Sequence, residues 1–105
     1  MPYAAIAAVP CKDTVKLCSE EGVVSETLDR SRLWLVQTPQ CFRRNLLVSA
    51  YEKASGEGFF ATDDAALVER MQVPVHLVMG SYENIKVTTP EDFVICEDIL
   101  RRRQG

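Results

Sequence analysis

Two adjacent carboxylates, Asp63 and Asp64, four cysteines, a single histidine, one tryptophan and a run of three arginines are the residues of this chain whose types invite chemistry. A metal would need several of them to converge. Cys11, Cys18, Cys41 and Cys96 form no C-x-x-C pair, and His76 completes no common zinc pattern with them, so no metal site is legible. Asp63 and Asp64 follow Thr62 and precede an apolar stripe of Ala65, Leu67 and Val68. Thr62 is expected there as a helix N-cap, with the two acids complementing the helix dipole rather than holding a cation. Trp34 could stack on a base, but its place between Leu33 and Leu35 reads as core or interface packing. His76, beside Val75 and Leu77, reads as structural. Arg101, Arg102 and Arg103 end a helix-like segment, where cations complement the negative end of the dipole.

Fifteen acidic against twelve basic residues give a formal charge of −3, which argues against a nucleic-acid binder resting on a broad basic surface. At 105 residues and 47% hydrophobic content the chain is expected to form one small domain without room for a second. Its longest apolar run, Tyr3 to Pro10, falls far short of the roughly 20 residues that span a bilayer, and no basic n-region follows Met1. A soluble, cytoplasmic protein with reduced, partly buried thiols and no membrane partner is expected.

The elements that must position any site alternate along the chain. Ala4 to Val9 is continuously apolar and closed by Pro10, as in a strand buried on both faces, yet nothing upstream supplies its neighbours. Thr14 to Cys18 and Val23 to Leu28 alternate polar and apolar residues around a Gly22-containing gap, which predicts a hairpin too polar to stand alone. Leu33 to Val36 reads as a strand ended by Gln37-Thr38-Pro39-Gln40. Leu46, Leu47, Ala50, Tyr51 and Ala54 recur at helical spacing, stopped by Gly56 and Gly58. After the short helix beginning near Thr62 and ending near Met71, Pro74 to Met79 reads as a strand and Asn84 to Val87 as a further short extended piece. Thr89, Pro90 and Asp92 open a last helix whose expected buried face is Phe93, Cys96, Ile99 and Leu100. The order points to a layered α/β protein.

Five stretches stand in register: Val9-Pro10-Cys11-Lys12-Asp13-Thr14; Thr27-Leu28-Asp29-Arg30 with Leu33-Trp34; Gln37-Thr38-Pro39-Gln40; Thr62-Asp63-Asp64-Ala65 with Val68-Glu69; and Gly80-Ser81 with Asn84 to Asp92. In this order they resemble the 2-C-methyl-D-erythritol 4-phosphate cytidylyltransferase family, and the resemblance runs from Ala4 to Leu100. It is a resemblance to the C-terminal half only. The family's Gly-rich, basic CTP loop and its acidic metal-binding motif have no counterpart here, which would account for the missing neighbours of the first strand.

The resemblance implies an incomplete Rossmann-like nucleotidyltransferase sheet with a protruding β-hairpin arm at Lys12 to Trp34, residues 1–105 being the C-terminal portion of one domain. It implies transfer of a cytidylyl group from CTP to methylerythritol phosphate, a reaction served by cations and donors placed around accumulating negative charge. Lys86 and Arg30 are the implied catalytic cations, and Thr14, Arg30, Thr38, Thr62 and Lys86 the implied substrate-binding set. Arginine grips two phosphate oxygens at once, which lysine does not. Read without the family, Thr62 is a helix cap, Thr38 a turn residue, Thr14 a strand residue, and the two cations solvated surface charges. Mg²⁺ is implied for the complete enzyme with its ligand outside this chain. The arm implies a homodimer by exchange, with Thr14 and Arg30 serving the neighbouring subunit while Thr38, Thr62 and Lys86 serve their own. The chain alone is expected to turn over negligibly. A ribitol 5-phosphate acceptor, or a dimerisation module without catalysis, are the competing readings.

Overall fold

The computed structural model describes residues 3–105; Met1 and Pro2, where the missing n-region was read, lie outside the described residues. The first apolar run forms β1 (Ala4–Pro10), with Ala4, Ile6, Ala8 and Val9 buried. It is the central strand of a three-stranded mixed sheet. On one side it pairs antiparallel with β4 (Trp34–Phe42), and on the other it runs parallel to β5 (His76–Met79). A parallel neighbour requires a long crossover, which here contains α1 (Arg44–Gly56) and α2 (Asp64–Glu69). Ala4 packs against Ala50 and Ala54 of α1 and Leu67 and Val68 of α2, with Phe42, Leu46 and Val75 closing the cluster. The small side chains let both helices approach the strand closely.

The hairpin between β1 and β4 forms as its alternation suggests. Strands β2 (Lys16–Cys18) and β3 (Val24–Thr27) make a separate two-stranded sheet, all of whose residues are exposed. Gly22, at φ 83°, takes the left-handed position in its turn, where the Ser19 carbonyl accepts from the Gly22 amide at 3.0 Å. A short 3-10 turn, Arg30–Arg32, leads back to the main sheet.

Three local expectations are corrected. The strand from Leu33 does not stop at Thr38-Pro39 but continues through a cis peptide bond to Phe42. Pro39 is tolerated because β4 is an edge strand and the β1–β4 register shifts between Ile6 and Ala8, where Pro39 lies. Asn84 to Val87 is loop, not strand. On α3 (Pro90–Gln104) only Ile99 of the expected buried face is buried; Phe93 and Leu100 are exposed and Cys96 half-buried. The helix period identified an apolar stripe, but no other element of the described chain covers it.

The Cα radius of gyration, 17.0 Å, exceeds the roughly 13 Å expected of a packed chain of this length, because the hairpin and α3 extend away from the sheet. All four cysteines are free thiols, with Cys11 buried and Cys18 and Cys41 exposed. Among the described residues no helix is long and apolar enough to cross a membrane.

Candidate functional site

Three distant segments meet around a cavity of about 600 Å³. Strand β4 contributes Gln37, Thr38 and Gln40; the approach to α2 contributes Thr62 and Asp63; the loop after β5 contributes Tyr82, Asn84 and Lys86. Val9, Leu35, Val36 and Ile85 give it an apolar floor. Lys86 is exposed, is the one cation lining this cavity, and makes no salt bridge among the described residues.

The one acid there is already committed. Asp63 Oδ1 accepts from the Ala66 amide at 2.9 Å and Oδ2 accepts from Gln40 Nε2 at 3.1 Å. The cap of α2 is therefore Asp63 and not Thr62. Gln40 decides the register, since its Oε1 also accepts from the Ala65 amide at 3.3 Å and its side chain joins β4 to the helix start. Displaced from the cap, Thr62 keeps its hydroxyl for the cavity. Neither the Thr62 nor the Thr38 hydroxyl has a hydrogen-bond partner among the described residues. An ammonium and two free hydroxyls, beside an acid whose oxygens are already taken by hydrogen bonds, suit an anion with several oxygens.

Arg30 and Thr14 stand apart from this group. Arg30 lines a second cavity of about 480 Å³ with Pro10, Cys11, Asp29, Ser31 and Trp34, and its Nη1 donates to the Lys12 carbonyl at 2.7 Å. Asp29 caps the 3-10 turn; hydrogen bonds from the Ser31 hydroxyl (2.7 Å) and amide (3.1 Å) hold its carboxyl below the usual range. Thr14 lines neither cavity. The two regions touch through Tyr82, whose hydroxyl donates to the Pro10 carbonyl at 2.6 Å and whose ring lies 3.8 Å from Lys12 Nζ.

Gln37, Gln40, Tyr82 and Asn84 are site residues to which the sequence assigned no role. Three of them lay inside the motif segments, but side-chain to backbone contacts between remote segments leave no periodic trace. Among the described residues no group of three or more His, Cys, Asp or Glu is placed to hold a metal ion, and Asp63 is occupied, so the residues present do not make a site for Mg²⁺.

A family model described as "IspD: 2-C-methyl-D-erythritol 4-phosphate cytidylyltransferase" matches residues 2–102. Relatives bearing that enzyme name from Syntrophus aciditrophicus and Pelotomaculum thermopropionicum are 52% and 53% identical over 102 residues. Each alignment covers 97% of this chain but only 44% and 43% of the relative, so the chain spans less than half the length of these curated relatives. Among solved structures, the 4-diphosphocytidyl-2C-methyl-D-erythritol synthase of Anaerococcus prevotii superposes with a TM-score of 0.86 at 37% identity, covering 95% of this chain and 47% of that one. The 2-C-methyl-D-erythritol 4-phosphate cytidylyltransferase of Thermus thermophilus gives 0.81 at 37%, covering 94% and 48%. The mixed sheet with its helices is thus an α/β nucleotidyltransferase-like fold.

Proposed function

The chain belongs to the 2-C-methyl-D-erythritol 4-phosphate cytidylyltransferase family, and from that premise we propose that it supplies the acceptor-phosphate side of cytidylyl transfer from CTP to 2-C-methyl-D-erythritol 4-phosphate. The observation that carries this reading is the convergence of Lys86, Thr38 and Thr62 on one cavity whose only carboxylate is already satisfied. Lys86 neutralises the acceptor phosphate, and the two hydroxyls donate to its oxygens or to the polyol without adding charge. The cation and the donors lower the barrier by meeting negative charge where it accumulates, with no covalent step on the protein.

We place this chain in the C-terminal half of the family's domain, as the rest of an incomplete Rossmann-like sheet. The CTP-phosphate loop and the Mg²⁺ ligands then lie in the part of the family's length that this chain does not span. The exposed hairpin is the proposed dimer arm. Its separation from the Lys86 cavity fits a homodimer in which Arg30 and Thr14 complete the partner's site and Thr38, Thr62 and Lys86 act in their own.

The test is CTP-dependent pyrophosphate release by this chain, alone and mixed with the remaining portion of a family enzyme, offering methylerythritol phosphate or ribitol 5-phosphate. Negligible release alone and turnover by the pair with methylerythritol phosphate are expected. Preference for ribitol phosphate would reassign the acceptor, and no release by the pair with either acceptor overturns the enzymatic reading. Lys86→Ala is expected to abolish release by the pair while leaving the melting temperature unchanged.

A further inference from the structure

Lys86 belongs to a loop without regular secondary structure, yet the loop is fastened to β4 at the wall that carries Thr38. Gln37 Nε2 donates to the Ser81 carbonyl at 2.8 Å, and Asn84 Nδ2 donates to the Thr38 carbonyl at 2.7 Å. The same Asn84 nitrogen lies 3.4 Å from Gln37 Oε1, so the two carboxamides also meet each other. Gly80 lets them do so: a Cβ at that position would overlap Gln37 Oε1. The Gly80 amide meanwhile donates to the Ala8 carbonyl at 2.9 Å, continuing the β1–β5 ladder into the loop.

Carboxamides suit this place for a chemical reason. Each both donates and accepts while carrying no charge. An aspartate or glutamate here would pair with the lysine two residues away and compete with any anion for it. We propose that Gln37 and Asn84 are positioning residues, a carboxamide clamp that fixes the Lys86 loop against Thr38 so that ammonium and hydroxyl engage one phosphate group together. The clamp acts by pre-organisation, removing backbone freedom next to Lys86 before the anion arrives. It rests on the assignment of the Lys86 cavity to the acceptor phosphate.

The experiment is an amide NMR titration of the chain with inorganic phosphate and with a polyol phosphomonoester, on the parent, Lys86→Ala, Asn84→Ala, the double variant and Gly80→Ala. Lys86→Ala is expected to weaken phosphate by roughly tenfold, the scale of one charge-assisted hydrogen bond. Asn84→Ala is expected to weaken it several-fold, and to add nothing in the Lys86→Ala background, because its effect passes through Lys86. Gly80→Ala keeps every polar group but displaces the Gln37 carboxamide, and should give a smaller loss than Asn84→Ala, because the Asn84 bond to the Thr38 carbonyl remains. It also decides the matter if Asn84→Ala fails to fold. Unchanged affinity in Lys86→Ala removes the site assignment and the clamp with it. A normal loss in Lys86→Ala with parental affinity in both Asn84→Ala and Gly80→Ala removes the clamp alone. Fully additive losses in the double variant mean that Asn84 meets the phosphate itself, which also overturns the proposal.

Discussion

Val68, 0% exposed, is the largest fully buried side chain among the described residues, and it sits in the cluster that joins α2 to β1 and α1. Val68→Ala removes two methyl groups from that position. Their transfer to water is worth about 1.6 kcal/mol at ~0.8 kcal/mol per carbon. The vacated space adds to this, because Ala4, Ala50 and Ala54 around it have no side-chain freedom with which to collapse. A void of about 40–50 Å³ contributes roughly another 1 kcal/mol, for a total of about 2–3 kcal/mol. In urea, with a slope of about 1–3 kcal/mol/M, the midpoint should fall by roughly 0.7–3 M with the slope unchanged. Phe60→Ala is the control: Phe60 is 92% exposed, and its loss should stay within about 0.5 kcal/mol. Measured well below the transition, phosphate affinity should be the same in both variants, since Val68 does not line the Lys86 cavity. A midpoint shift in Val68→Ala no larger than that of Phe60→Ala would refute the assignment of this cluster as the core.

The last helix offers a second test: the Thr89 hydroxyl accepts from the Asp92 amide at 3.2 Å, so Thr89→Ala should cost about 1 kcal/mol and lower the far-ultraviolet helix signal. The reciprocal half of that box sets a pH dependence. Backbone amides of Thr88 and Thr89, then the threonine hydroxyls, hold the Asp92 carboxyl below its ordinary value. A depressed group stabilises the fold above its unfolded value, about 3.9, and that stabilisation disappears as pH falls through the lower folded value. Melting curves should therefore lose stability below about pH 4, and Asp92→Asn should flatten the loss; identical pH profiles would contradict the assignment. Tyr51 shifts the other way, because its hydroxyl donates to Asp64. Its contribution is present below the ordinary phenol value, about 10, and is lost as pH rises through the higher folded value. One of the three tyrosines should titrate late by phenolate absorbance, and Tyr51→Phe should remove that late step.

Elements whose cause is local could be read before the structure. The unbroken apolar run Ala4 to Val9 became the central strand, and Thr89, Pro90 and Asp92 formed the capping box that their spacing implies. Where a tertiary contact chose between two adequate local answers, sequence reasoning went astray. Thr62 and Asp63 are both good caps, and Gln40, bound to Asp63 and Ala65, selects Asp63. Proline normally ends a strand, but an edge position and a register shift carry β4 past Pro39. Periodicity on α3 marked the apolar stripe without showing whether this chain covers it. Motif register singled out Lys86, Thr38 and Thr62, and their meeting in one cavity follows from β4 and β5 flanking β1. Gln37 and Asn84 gave no warning because a carboxamide reaching a remote carbonyl obeys no spacing rule.

The end of α3 also bears on the Lys86 loop. Arg103 Nη2 and Nε reach Glu83 Oε1 at 2.8 and 3.0 Å, while the first turn of the same helix is capped at Thr89. The helix is thus one side of a closed buckle, and the other side is the stretch from Glu83 to Thr89 that contains Lys86. The clasp is an exposed ion pair, worth at most about 1 kcal/mol and weakened by salt. Trimming the chain after Leu100 removes Arg103 and with it the fastening at Glu83, leaving the loop held by the Gln37 and Asn84 carboxamides.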